Sequence, residues 1–420
     1  MDFAPSPKAT EIYHRVENFM DDHVIPRIRQ WNDDVNAGIF PVSFMDDLKA
    51  LAREEGLWNL FLPGLRDDEP GFRLTNLEYA PLAELMGRVH WASEVFNCSA
   101  PDTGNMEVLH MFATPEQREQ WLVPLLNGEI RSGFAMTEPD VASSDASNIQ
   151  TAIVRDGDDY VINGRKWFTS NSAHPNCRIL ILMGKTDPDN ENRHRQQSMI
   201  LVPLDTEGVE IVRNVPVMNH VAPEGHCEVV FRNVRVPASN LIRNEGDGFM
   251  IAQARLGPGR IHHCMRAIGM AEVALRLMVE RAQERKTFGK FLHQHGVVSD
   301  WIGTARMEIE QARLLVLKAA WMIDNVGAKG AAKEIAMIKA VVPSVLGRVV
   351  DHAQQTFGAM GLTPDAPLAD LYTASRALRI ADGPDEVHIR SVARQEIKAS
   401  QEDFGLSAKF LTPPDRVLRS

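Results

Sequence analysis

Several clusters in the chain combine residue types that do chemistry. In "RIADGPDEVHIR", residues 379–390, a carboxylate, Asp382, stands beside Gly383 and Pro384, with Asp385 and Glu386 directly after. Glycine and proline interrupt a helix, so this acid either orders an ordinary turn or is presented by the break. In "FAMTEPDVASSD", 134–145, the hydroxyls of Thr137, Ser143 and Ser144 lie on a small-residue turn, where backbone and hydroxyl groups can approach a phosphate closely. Arg285 in "ERKTFGK" offers the bidentate, charge-assisted bonding that suits a pyrophosphate. His262, His263 and Cys264 in "GPGRIHHC" suggest a metal, but adjacent helix residues point in different directions and converge poorly on one ion. The glycines of "GAMG", 358–361, lack the GxGxxG spacing and have no strand before them, which argues against a nicotinamide-dinucleotide fingerprint.

Three kinds of segment position these groups. Residues 1–131 read as an α-helical domain: "DDLKALAREEGLWNLFL" and "NLEYAPLAELMGRV" carry apolar residues at three- and four-residue steps. In "ATPEQREQWLVPLLNGE", Thr114 is the expected N-cap, Pro115 the first helical residue and Gly128 the stop. Residues 132–242 alternate short β-branched runs with turns, which predicts an antiparallel sheet domain, a small barrel or sandwich. Within it Asn163-Gly164 carries the strongest hairpin signal. Residues 243–400 return to helix, with Ile302, Ala305, Ile309, Ala312, Val316, Ala320 and Ile323 forming one apolar stripe, and predict a bundle. Residues 401–420 read as an extended tail. The fold class is α+β.

Composition narrows the partners. The 420 residues, 44% hydrophobic and 24% charged, describe an ordinary globular chain, and a formal charge of −11 argues against nucleic acid as the ligand. The four cysteines are scattered, which favours a reducing compartment, and the N-terminus lacks a signal-peptide pattern. No apolar stretch is long enough to span a bilayer. The expectation is a cytoplasmic protein without a metal.

The helix–sheet–helix order and five motifs together resemble the acyl-CoA dehydrogenase family over nearly the whole chain. The motifs are "FAMTEPDVASSD", "GRKWFTS" (164–170), "ERKTFGK" (284–290), "QTFGAMG" (355–361) and "ADGPDEVH" (381–388). The Asp-Gly-Pro-Asp-Glu form and the "VASSD" insertion are similar to the subgroup that includes dehydrogenase domains fused to kinase-like domains in animals. The resemblance implies an N-terminal helix bundle, a central antiparallel β-barrel and a C-terminal four-helix bundle, with FAD as cofactor.

It also implies roles. Phe134, Met136 and Thr137 line the flavin, with Trp167, Phe168 and Thr169 as a wall near N5. One of Ser143 and Ser144 meets the pyrophosphate, and Ser144 alternatively meets the CoA arm, since the motif carries one residue more than the common form. Arg285, Phe288, Gln355, Thr356 and Gly358 reach the FAD of a neighbouring subunit, so the protein is expected to be a homotetramer or homodimer. Pro384 and Glu386 complete the cofactor set, while Arg260 and Gly383 lie at the thioester end. Asp382 takes the α-proton of an acyl-CoA as hydride leaves Cβ, and electrons pass on to an electron-transferring flavoprotein. Burial is expected to raise the Asp382 pKa. The rival readings are an acyl-CoA oxidase or flavin monooxygenase on the same fold, and a non-catalytic CoA-ligand binding protein.

Overall fold

The computed structural model describes residues 2–402 and Phe410. Helices come first: α1 (Pro7–Phe19), α2 (Ile28–Asn36), α3 (Met45–Glu54), α4 (Asn76–Met86), α5 (Ala92–Val95) and α6 (Asp102–Phe112). Then α7 (Pro115–Gln117) and α8 (Val123–Leu126) are joined by the π-helical turn Arg118–Leu122. Thr114 caps α7 in a reciprocal capping box with Gln117, with Pro115 in the first turn, and Gly128 ends the run at φ +67°.

Seven strands follow: β1 (Arg131–Ala135), β2 (Ala152–Asp156), β3 (Asp159–Ser170), β4 (Cys177–Lys185), β5 (Gln197–Pro203), β6 (Val209–Asn214) and β7 (His226–Pro237). The expected all-antiparallel sheet is corrected to a mixed one. β1 runs parallel to β4, and Ala152 of β2 pairs in parallel with Lys185, whereas β2–β3, β3–β7, β6–β7 and β4–β5 are antiparallel. Strand β4 is buried on both faces, which explains its continuous apolar run: Ile179, Ile181 and Met183 face the helical core, Leu180 and Leu182 a second core inside the sheet.

The hairpin reading of Asn163-Gly164 is also corrected. β3 runs straight through these residues, and the turn between β2 and β3 is at Gly157, φ +64°. Asn163 instead accepts a 2.8 Å bond from the Asn233 N–H at an irregularity between β3 and β7. Gly164 is needed because a Cβ there would lie 2.3 Å from Thr151 Oγ1. A bulge and a close approach use the same residue types as a tight turn.

The last part holds α9 (Gly248–Glu284), the two-stranded hairpin β8 (Lys286–Thr287) and β9 (Lys290–Phe291), α10 (Gly296–Gly330), α11 (Ala332–Phe357), α12 (Leu368–Leu378) and α13 (Asp385–Glu402). Helices α9, α10 and α11 pack on one another, and α12 and α13 both lie against α11. The expected bundle is thus three long helices and a fourth position shared by two shorter ones. The apolar stripe of α10 is buried from Ala305 to Ile323, with Ile302 half-buried at its start. One core joins the first and last helical parts and one face of the sheet. Within it α4 and α9 meet main chain to main chain: a Cβ on Gly87 would lie 2.1 Å from the Arg266 carbonyl oxygen, and one on Gly269 1.9 Å from that of Glu84. The expected tail at 401–420 begins inside α13; from 403 on, Phe410 excepted, it lies outside the described residues.

Candidate active site

The first wall of the site comes from β1, the loop after it and the end of β3. The Trp167 N–H donates to the Thr137 carbonyl at 3.0 Å, which brings the "FAMT" and "KWFTS" motifs together. The register of β3 against β7 slips between Lys166 and Thr169, and Phe168 takes φ +50°. Such a bulge re-aims side chains. Lys166 is fully buried and donates to the Met136 carbonyl at 2.9 Å and to Glu138 Oε1 at 2.8 Å. Burial pulls the Lys166 ammonium down to about 8 against the opposing pull of Glu138. Glu138 in turn accepts the N–H groups of Gln150 and Thr151, which ties both ends of the 138–151 loop to one carboxylate.

Beside this anchor two buried polar atoms, Trp167 Nε1 and Thr169 Oγ1, have no hydrogen-bond partner among the described residues. Unpaired buried donors cost about 1–3 kcal/mol each unless a ligand satisfies them. A flavin, flat and edged with alternating donors and acceptors, fits that pair next to the half-buried Phe134, Met136 and Thr137. The structure also separates the two serines. Ser143 Oγ accepts the Glu138 N–H at 2.9 Å and closes its own loop, whereas Ser144 is exposed.

The second wall centres on Asp382, in the break between α12 and α13. Asp382 has φ +55° and Gly383 φ +104°, left-handed conformations that turn the chain sharply. The turn is held by main-chain contacts. Arg260 Nε donates to the Asp382 carbonyl at 3.1 Å, and His388 Nε2 contacts the same oxygen at 3.2 Å. Buried Lys339 on α11 donates to the carbonyls of Leu378 and, at 3.5 Å, Gly383. Arg379 pairs with Asp385 at 2.6 Å, at the start of α13. Pro384 is half-buried within this turn and Glu386 is exposed on the first turn of α13.

The Asp382 side chain is 22% exposed, with Oδ2 3.7 Å from His263 Nε2. Gly259 leaves the space beside it open, since a Cβ there would be 4.0 Å from Oδ2. The expected upward pKa shift is corrected in direction. Burial does push it up, but His263, Arg255, Arg260 and Lys339 outweigh burial and hold the carboxyl below its ordinary value. Asp382 is an anion at neutral pH.

Four residues of this corner had no assigned role in the sequence: Arg255, His263, Lys339 and His388. Arg255 and His263 share the α9 face of Gly259, one turn before it and one turn after it, a spacing visible in the sequence only once Asp382 is known to face that helix. The Arg255 guanidinium lies 3.8 Å from the centre of the Phe134 ring and so links the two walls. Beside it is Glu107 on α6, buried, with Oε2 unpaired among the described residues and its carboxyl pushed up to about 8 by burial, an effect Arg255 offsets only partly.

The remaining candidates lie apart. Arg285 and Phe288 are exposed at the β8–β9 hairpin, as are Gln355 and Gly358 at the end of α11, with Thr356 buried beside them. Phe288 is 95% exposed at φ +48°. These residues do not join the two walls within one chain.

Three family models describing the acyl-CoA dehydrogenase N-terminal, middle and C-terminal domains match residues 6–129, 133–234 and 246–397. A Mycobacterium tuberculosis protein named "Probable acyl-CoA dehydrogenase FadE2" is 56% identical over 410 residues, 96% of this chain and 99% of that one. The acyl-CoA dehydrogenase family member 11 of Gallus gallus is 50% identical over 405 residues, 94% of this chain and 51% of its own length, so the chain spans about half of that relative. Among solved structures, butyryl-CoA dehydrogenase from Megasphaera elsdenii superposes with a TM-score of 0.79 at 28% identity, covering 94% of this chain and 100% of that one. With all three domains matched in order, the chain belongs to the acyl-CoA dehydrogenase family, FAD-dependent oxidoreductases built from helices, a central curled sheet and a second set of helices.

Proposed function

We propose that the protein dehydrogenates an acyl-CoA thioester to the trans-2-enoyl-CoA, with Asp382 removing the Cα proton. The observation that carries this reading is the Asp382 carboxylate itself, kept ionised by the charges of Arg255, Arg260 and Lys339 against the pull of burial, and facing open space at Gly259. FAD, when bound, supplies the acceptor for the hydride that leaves Cβ. The chain's residues do the rest. Phe134, Met136, Thr137, Trp167, Phe168 and Thr169 hold the ring, and Ser144, free of the loop-closing bonds that occupy Ser143, meets the phosphate or CoA arm. Gly383 and Arg260 frame the thioester end, and polarisation of its carbonyl makes the α-proton acidic enough for a carboxylate to take.

The lowered pKa of Asp382 in the empty site suits this task in two stages. Ionised on arrival of substrate, it becomes a stronger base as the acyl chain displaces water from around it. Arg285 and Phe288, with Gln355, Thr356 and Gly358, complete the cofactor site of a second copy, so the working form is a homo-oligomer, while Pro384 and Glu386 complete the cofactor set. Electrons leave to an electron-transferring flavoprotein. Among the described residues no helix is long and apolar enough to cross a membrane, and we place the enzyme in the cytoplasm.

A panel of acyl-CoA thioesters of differing length, assayed with an artificial electron acceptor, tests the reading. Acceptor reduction with formation of the enoyl-CoA is expected. Stoichiometric hydrogen peroxide from air in place of acceptor reduction would move the assignment to an oxidase, and no bleaching of the flavin by any thioester would remove dehydrogenation altogether.

A further inference from the structure

Asp382 is held unevenly. Its main-chain oxygen takes two contacts, from Arg260 and His388, while Lys339 is spent on the carbonyls of Leu378 and Gly383. Arg255 is spent on Asn105 Oδ1, at 3.1 Å, and the Pro101 carbonyl, at 3.4 Å. Arg255, Arg260 and Lys339 act on the Asp382 charge through space, yet only His263 has a polar atom within 4 Å of the carboxylate among the described residues that pair with it.

The imidazole is oriented for one task. Arg266, a pure donor, lies with a terminal nitrogen 3.1 Å from His263 Nδ1, so that nitrogen accepts and the neutral ring carries its hydrogen on Nε2. Nε2 is the atom that faces Asp382 Oδ2 at 3.7 Å. That distance is beyond a hydrogen bond in the ligand-free site, where such contacts are commonly loose and tighten with substrate. The ring stays neutral: burial, then Arg266, lowers it to about 4, with Lys339 and Arg255 adding to the effect and Asp382 opposing it. The other groups packed around the pair are Arg260, the buried Cys264 thiol and His388 on α13.

We infer that His263 is a positioning residue for Asp382, its Nε2–H restraining Oδ2 and so fixing the plane in which the carboxylate meets the substrate. This rests on the dehydrogenase reading above. The restraint answers a specific problem: the backbone clamp fixes where Asp382 starts but leaves its carboxylate free to rotate, and proton transfer from carbon tolerates little misplacement. Arg266 sets the tautomer, and His263 passes that orientation on.

Two near-isosteric variants separate this role from packing. In His263→Gln the amide nitrogen reaches the Nε2 position; in His263→Asn the amide reaches only as far as the Nδ1 position, its oxygen accepting from Arg266. The readout is the carboxyl stretch of Asp382 in infrared difference spectra against Asp382→Asn, titrated in flavin-loaded protein without substrate. An N–H bond to the charged form lowers a carboxyl pKa, so the His263→Asn midpoint is expected to rise by about one pH unit over wild type. The His263→Gln midpoint should stay within a few tenths. Substrate reduction of the flavin should fall about tenfold in His263→Asn and much less in His263→Gln. Equal midpoints in the two variants would overturn the inference. So would ¹⁵N spectra of the unmutated protein at neutral pH showing the His263 hydrogen on Nδ1. Because the infrared arm needs no substrate, it stands even where the thioester panel finds none, and an active Asp382→Asn would sink the function while leaving this test intact.

Discussion

The corner around Asp382 and the hairpin carrying Arg285 and Phe288 belong to the same proposed chemistry but are built in opposite ways. At Asp382 four basic side chains from two helices converge on one acid, and the main chain is clamped from α9 and α13. At the hairpin a phenylalanine stands 95% exposed in a left-handed conformation, and Arg285 makes no ion pair among the described residues. A single chain can preorganise the proton-transfer half of its site because every partner needed is on neighbouring helices. Arg285 and Phe288 have no such partners among the described residues, and on the proposed reading they act against a second copy. On the proposed function, acid–base chemistry is internal and cofactor retention is shared.

The largest expected effect breaks the internal half alone. Asp382→Asn keeps the side-chain shape but cannot accept a proton at neutral pH, and flavin reduction by acyl-CoA should fall by roughly 10² to 10⁴-fold while FAD and thioester still bind. Stopped-flow reduction near the wild-type rate would show that Asp382 merely orders the turn. Next comes Lys166→Met, which leaves Glu138 buried without its cation and frees the loop that carries Thr137 and Ser144. Loss of one partner of a buried pair costs about 3–5 kcal/mol, so the variant should melt well below wild type and release flavin early. An unchanged melting curve would mean that the 138–151 loop is anchored elsewhere.

Arg285→Ala probes the shared half. It should weaken FAD retention by about tenfold or more with little change in the fold, as expected for removing a charge-assisted bond to phosphate. A monomer at micromolar concentration holding a full complement of FAD would erase the contrast between hairpin and corner. The smallest effect belongs to Glu107, whose carboxyl is raised from an ordinary 4.5 to about 8. Between those values the folded chain keeps a proton that the unfolded chain has released, so stability declines as pH rises through this window. Glu107→Gln removes that linkage, and its melting temperature should drop less than wild type's between pH 5 and pH 8. Parallel curves would show that Glu107 is already ionised in the fold.

Legibility followed the same divide. The helical parts, the Thr114 cap and the α10 stripe were readable because each depends on residues a few positions apart. Asp382 was readable as a break, since glycine and proline act locally. The sign of its pKa shift was not, because His263, Arg255 and Lys339 reach it from α9 and α11, between about 40 and 130 positions away along the chain, and only packing discloses that. Asn163-Gly164 misled for a related reason: the local propensity for positive φ and close approach was real, but β7 and Thr151 turned it into a bulge in place of a turn. The parallel pairing of β1 with β4 likewise depends on a partner some 46 residues away that no local pattern specifies.

The contact of Gly87 and Gly269 limits how this enzyme can be remodelled. Side chains between packed helices act as spacers, and altering them lets one helix slide or tilt. Here main chain rests on main chain, so α9 has a mechanical stop against α4 that no change of side chain elsewhere relaxes. Arg255, Gly259, Arg260, His263 and Arg266 all ride on α9 within four turns of that stop. Their height relative to the Asp382 turn is therefore set like a gauge block. Redesign of the site can work through individual side chains on α9, and any route that requires α9 to move toward α4 is closed.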